Sequence, residues 1–124
     1  MTVEGKQLGD ILVTKHELAA GAAIAALFDA AGDLKHRDII VSTNMHSIVT
    51  VAYMRPSDRK RFQFQCRIDG EIVVWRMMQG FGPHAVPGRW RDHPLDERVT
   101  WREDGDDVIV TVCQGGKIVA TERW

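Results

Sequence analysis

The stretch FQFQCRIDGEIVVWRMM, running from Phe62 to Met78, decides the fold. Phe62, Phe64, Cys66 and Ile68 alternate with Gln63, Gln65 and Arg67, the period-two pattern of a strand with one face buried. Asp69-Gly70 then supplies a two-residue turn of the primed type, in which glycine takes a positive φ, and Glu71 to Met78 forms the return strand. That loop pairs Ile68 with Glu71, Cys66 with Val73, Phe64 with Trp75 and Phe62 with Met77. All of these residues except Glu71 are apolar, and all lie on one face. A slip by one residue would turn the apolar set outward, so the pattern sets the register expected here.

The same device recurs downstream. Asp104-Gly105 is expected to fold Val99–Glu103 onto Asp106–Gln114, and Gly115-Gly116 to fold that strand onto Lys117–Trp124. Two-residue loops pair Trp101 with Val108, Val99 with Val110 and Val112 with Val119, again on one face. The other face of this unit carries Ile109, Cys113, Ile118, Ala120 and Trp124, which is more apolar than the wet side of an antiparallel sheet should be. Ile109, Ile118, Ala120 and Trp124 are therefore the expected contacts of a homodimer, because a contiguous apolar patch marks an interaction surface.

Upstream, Thr14-Lys15-His16-Glu17 has the form of a capping box. It predicts a helix to about Ala31, with Gly32 in the left-handed position that follows a helix end. Ala20, Ile24, Leu27, Phe28 and Ala31 share one face, and alanines with Gly21 fill the other, so the helix is small-sided and nearly apolar all round. Ile11–Val13 reads as a short strand or a hydrophobic staple, and residues 1–10 as a weakly ordered lead-in. Ile39–Thr43 and Ile48–Met54 form one bent strand or a hairpin, and Arg55–Asp58 has turn chemistry. Together these elements predict an α+β domain with one N-terminal helix on a curved, mostly antiparallel meander sheet of five or six strands. Cystatin-like and nuclear-transport-factor-like cones offer an architectural analogy, although no motif ties the chain to either family. A small β-barrel is the alternative.

The 124 residues suit a single domain, 1–124, with 44% hydrophobic residues and a net charge of -1. That balance speaks against a nucleic-acid partner. Cys66 and Cys113 sit in apolar strand-like runs, as reduced, inaccessible thiols do. No apolar run is long enough to cross a membrane, and Met1–Asp10 lacks the apolar core of a signal peptide, so a cytoplasmic location is expected.

The connection from Gly80 to Glu97, about eighteen residues, is long for a small domain. Phe81, Val86 and Trp90 are anchors that a disordered loop would lack. His84, Arg89, Trp90 and His93 are its candidate ligand-binding residues. The separation of His84 and His93 matches no common metal-ligand spacing, and neither a nucleophile elbow nor a phosphate loop is present, so no metal or cofactor is expected. The cluster Arg55, Arg59, Lys60 and Arg61 flanks a turn, where phosphate or an acidic partner competes with plain solvation. Two functions fit these observations, and the first is preferred because the excess apolar face is a positive observation while a catalytic constellation is absent. One is a non-enzymatic binding or interaction domain acting as a homodimer through its apolar sheet face. The other is a cavity protein for a small apolar molecule, or a cofactor-free enzyme of the isomerase, hydratase or lyase type, with the 80–97 loop as pocket rim. A pocket under that loop favours the second.

Overall fold

The computed structural model describes residues 5–8, 11–29 and 38–124. Strands β1 (Gly5–Leu8) and β2 (Ile11–Thr14) form a small antiparallel ladder of their own, so part of the expected lead-in is a paired strand. Helix α1 (Lys15–Phe28) follows directly. The main sheet contains β3 (Ile39–Thr43), β4 (Val49–Met54), β5 (Arg61–Asp69), β6 (Ile72–Gln79), β8 (Arg98–Asp104), β9 (Asp107–Gln114) and β10 (Lys117–Arg123). They lie in meander order, all antiparallel, and the short β7 (Val86–Pro87) pairs off this path with β6. The α+β class and the curved sheet are as expected. The sheet has eight strands rather than five or six, and it does not close into a barrel.

The capping box is formed. The Thr14 hydroxyl accepts the Glu17 N–H at 3.1 Å, and the Glu17 carboxylate accepts the Thr14 N–H at 3.0 Å. The same carboxylate takes a 2.7 Å hydrogen bond from the Thr43 hydroxyl, which ties the helix start to β3. The helix ends at Phe28, earlier than the apolar spacing suggests, with the Asp29 N–H donating to the Ala25 carbonyl. Gly32 lies outside the described residues. Leu18 through Ala25 are all buried. The sheet curls about this segment, so that α1 touches β3 and β4 near one end of the sheet and β9 and β10 at the other. A helix of alanines and one glycine permits that close approach from several sides, which accounts for its lack of a polar face.

Gly21 marks the tightest point. A Cβ built there would stand 2.8 Å from Cζ3 of Trp124. Trp124 is buried, and its backbone exchanges both hydrogen bonds with Val108, at 2.7 and 2.9 Å. Its indole N–H donates to Glu122. Elsewhere in the core, Phe64 is fully buried among Phe28, Tyr53 and Trp75, with ring centroids 4.7, 6.0 and 6.3 Å away. Each such side chain contributes about 1.5–3 kcal/mol through burial.

The hairpins exist, but two turns sit one residue later than the sequence suggests. Asp69 pairs with Ile72, so the loop is Gly70-Glu71, with Gly70 at φ +59°. Phe64 therefore faces Met77, and Cys66 faces Trp75. Likewise Asp104 pairs with Asp107, which places Trp101 opposite Val110 and Val99 opposite Val112. Both shifts move the partner by two residues. Alternation keeps every side chain on its expected face under such a shift, so apolar matching cannot detect it. The Asn44–Ile48 region is a true hairpin, with β3 and β4 paired from Ile39↔Tyr53 to Thr43↔Val49.

The third hairpin holds the main correction. Lys117 pairs with Gln114 and Ile118 with Cys113, as expected, but the register then shifts and Ala120 pairs with Val112. The bulge falls at Val119. It adds one residue to β10, so everything after it exchanges faces. Ala120 packs against the core and Trp124 belongs to it. These two residues do not share an outer face with Ile109 and Ile118, and the continuous apolar patch expected there is not formed.

Candidate functional site

The long connection is placed by a gap in the sheet. Strand β6 meets β8 only near its start, at Ile72↔Thr100. There the Trp101 N–H donates to the Glu71 carbonyl at 2.9 Å and its indole N–H to Gly70 at 2.8 Å. Beyond this point the 80–97 loop takes the edge of β6. Val86 and Pro87 pair with Gln79 and Met78. The Gly88 N–H then donates to Met77 at 2.9 Å, and the Arg91 N–H to Trp75 at 2.8 Å. The loop satisfies backbone groups that the divergence of β6 and β8 leaves open.

Side chains fix the loop from both directions. Trp90 lies against the outward row of β5 and β6, with the Arg76 and Arg67 guanidinium groups 4.1 and 4.8 Å from its ring centroid. Arg76 is held in turn by two hydrogen bonds to Gln65. In the same outward row Val74 and Met78 are buried. A second layer from the same chain thus covers this part of the sheet without a second helix. Asp96 ties the far end of the loop. It accepts two hydrogen bonds from Arg89, each 2.9 Å, and a third from the His93 backbone N–H. Arg91 approaches the same carboxylate at 3.1 Å and Glu97 at 3.2 Å. The Arg89 guanidinium, followed by the His93 amide and the charge of Arg91, holds the Asp96 carboxyl well below the usual carboxylate range.

Between β6, β8 and the returning loop lies a cleft of about 390 Å³, a size suited to a small molecule. Ile72, Val73, Val74 and Val99 give it an apolar wall. Arg67, Arg91 and His93 bring polar groups to it. Arg67 is paired with Asp92 at 3.1 Å, and Arg91 also stands over the Trp75 ring at 5.1 Å. Arg98, at the same cleft, has no ion pair among the described residues. Arg67 and Arg91 are thereby set in position by carboxylates on the loop, which also line the cleft, and the strand residues supply its apolar part.

Of the four residues expected to bind a ligand, only His93 lines this cleft. Its Nδ1 accepts the Leu95 N–H at 3.1 Å, which fixes the ring. Arg89 braces the loop through Asp96, Trp90 packs on the outer face, and His84 is exposed in the turn that precedes β7. Sequence reasoning noted Arg91 and Asp96 among the charged residues of the loop but did not choose them as site residues, and it passed over Arg67. Arg67 is one polar residue in an alternating strand, and only the path of the loop brings Asp92 to it.

Elsewhere, Cys66 is buried and its thiol pKa is pushed up by burial, so it is a poor nucleophile at neutral pH. Cys113 is free and only half-buried, more accessible than its apolar run suggests. Ile109 faces outward yet is buried, flanked in register by Arg102 and Arg123. Arg123 is anchored by Asp104 and Asp107, so long polar side chains flank this outward surface. Among the described residues, no three His, Cys, Asp or Glu side chains converge in a metal-binding group, and no helix is long and apolar enough to cross a membrane. No family model, curated protein or solved structure matches the chain.

Proposed function

We propose that this chain is a binding domain for a small, largely apolar molecule, held in the cleft between β6 and β8. The observation that supports this reading most directly is the cleft itself. The sheet opens there, the loop returns as a brace, and an apolar wall meets arginines already fixed by their own carboxylates. A site arranged in advance loses little conformational freedom when a ligand arrives. The arginines and His93 serve to orient a polar end of the ligand, and the valines and Ile72 take its apolar body.

A fragment screen by saturation-transfer NMR tests the proposal, with Ile72→Trp as the control. The larger side chain fills the hollow from a half-buried strand position. Apolar fragments that carry a carboxylate or hydroxyl should give signals with the native chain and lose them with Ile72→Trp. Signals that survive that substitution unchanged place binding elsewhere and reject the cleft.

A second reading is self-association through β10. Ile118 and Val119 lie side by side at the outer edge of the sheet and are 68% and 57% exposed. Both are apolar, and strand edges pair readily with other strands. Sedimentation of the native chain beside Ile118→Asp tests it. A homodimer lost in the variant supports the reading, and a monomer at high concentration ends it.

A further inference from the structure

The cleft between β6 and β8 has two unlike banks. Four carboxylates line it, Asp69, Asp92, Asp96 and Glu97, and each is already met by an arginine. Arg67 lies 3.5 Å from Asp69 and 3.1 Å from Asp92. Arg89 and Arg91 hold Asp96, and Arg91 also reaches Glu97. Asp96 and Glu97 come just before Arg98 in the chain, yet it is these other arginines that engage them. Arg98 itself has neither an ion pair nor a side-chain hydrogen bond among the described residues.

Register places the two banks. Arg98 opens β8 opposite Cys113, so it shares an outward row with Thr100, the partner of Ile72. It therefore stands on the face where Ile72 and Val74 supply the apolar floor. Arg67 is across the gap, on β5 opposite Val74. One bank thus carries a guanidinium between two carboxylates, and the other carries a guanidinium with none. Charge nearly cancels over the whole cleft, and the imbalance lies between its sides. His93 adds a further donor. Its Nδ1 accepts the Leu95 N–H, so the neutral ring carries its proton on Nε2. That N–H has no acceptor among the described residues.

We infer that the ligand of this cleft is a monocarboxylate with an apolar body, its carboxylate on Arg98 and its body along Ile72 and Val74 towards Arg67. This rests on the cleft being a binding site and adds the charge of what it binds. An amine would find the carboxylates engaged and the charge of Arg98 opposing it. A dicarboxylate would bring its second charge against Asp69 and Asp92, where one arginine already serves two carboxylates.

NMR titration of the ¹⁵N-labelled chain with hexanoate, hexanamide, hexylamine and adipate tests this, because these probes differ in charge at the same carbon count. Hexanoate should bind at least about threefold more tightly than each of the others, the advantage a partly exposed ion pair allows, and that advantage should shrink as salt rises. Arg98→Gln should bring the ratio of hexanoate to hexanamide affinity close to unity, while Arg98→Lys keeps part of it. Arg102→Gln removes the same charge from the same face of β8, away from the cleft, and should leave the ratio as it is. Both arginines are exposed, so the variants are expected to fold, and their spectra check this. The ranking of the four probes on the native chain depends on no variant. Equal affinity for hexanoate and hexanamide, with both lost in Ile72→Trp, overturns the inference and leaves the cleft as the site. A ratio that Arg98→Gln does not move, or that Arg102→Gln moves equally, also overturns it. Hexanoate binding that persists in Ile72→Trp rejects the cleft and the inference together. If none of the four probes binds, the inference fails and the fragment screen alone decides the cleft.

Discussion

Replacing Gly21 by alanine sets two effects of similar size against each other, and the structure says which prevails. In an unencumbered helix interior the change stabilises by roughly 0.5–1 kcal/mol, because glycine loses more backbone freedom on folding. Here the new methyl would stand 2.8 Å from Trp124 Cζ3, well inside the contact distance of about 3.5–4 Å. The indole cannot easily retreat. Its backbone is held by two hydrogen bonds to Val108, and its N–H by Glu122. Overpacking of this kind costs about 1–3 kcal/mol, so Gly21→Ala should destabilise by about 1 kcal/mol net. In a Trp124→Ala background the obstruction is gone, and Gly21→Ala should stabilise by about 0.5–1 kcal/mol. Trp124→Ala itself should cost about 3–5 kcal/mol, and Trp124→Leu serves if that variant does not fold. Urea unfolding of the four proteins gives the coupling between the two sites. Stabilisation of equal size in both backgrounds would refute the packing of Trp124 on α1.

Three further outcomes follow from the same structure. Gly70→Val should lower stability by about 1 kcal/mol or more, because a β-branched residue resists positive φ; an unchanged urea midpoint would contradict the Gly70-Glu71 turn. With a maleimide reagent, native Cys113 should react first and Cys66 only on unfolding, and equal rates would place Cys66 outside the core. Asp96 should make the loop acid-sensitive: its folded pKa lies below the ordinary value of about 3.9, so its contribution is complete above about pH 4 and is lost as pH falls towards the folded value. Asp96→Asn should remove that part of the acid transition, followed by tryptophan emission, and an identical acid profile in the variant would count against this role.

The sequence by itself determined the kinds of element and the faces of most strands. Alternation from Phe62 to Ile68, and the valines of β8 and β9, separate inward from outward positions whatever the exact pairing, because strand periodicity is two. The capping box marked the start of α1 because both of its hydrogen bonds are local. Tertiary structure decided three things that local chemistry does not carry. Turns one residue later than Asp69-Gly70 and Asp104-Gly105 leave all faces unchanged, so only the full ladder distinguishes the registers. The bulge at Val119 leaves no mark in an apolar run, yet it sends Ala120 and Trp124 inward, where Gly21 leaves room for the indole. The cleft exists because β6 and β8 part after a single paired position. Arg67, Arg91 and Asp96 are therefore legible as charged residues in the sequence, but as the frame of one site only once the loop has closed that gap.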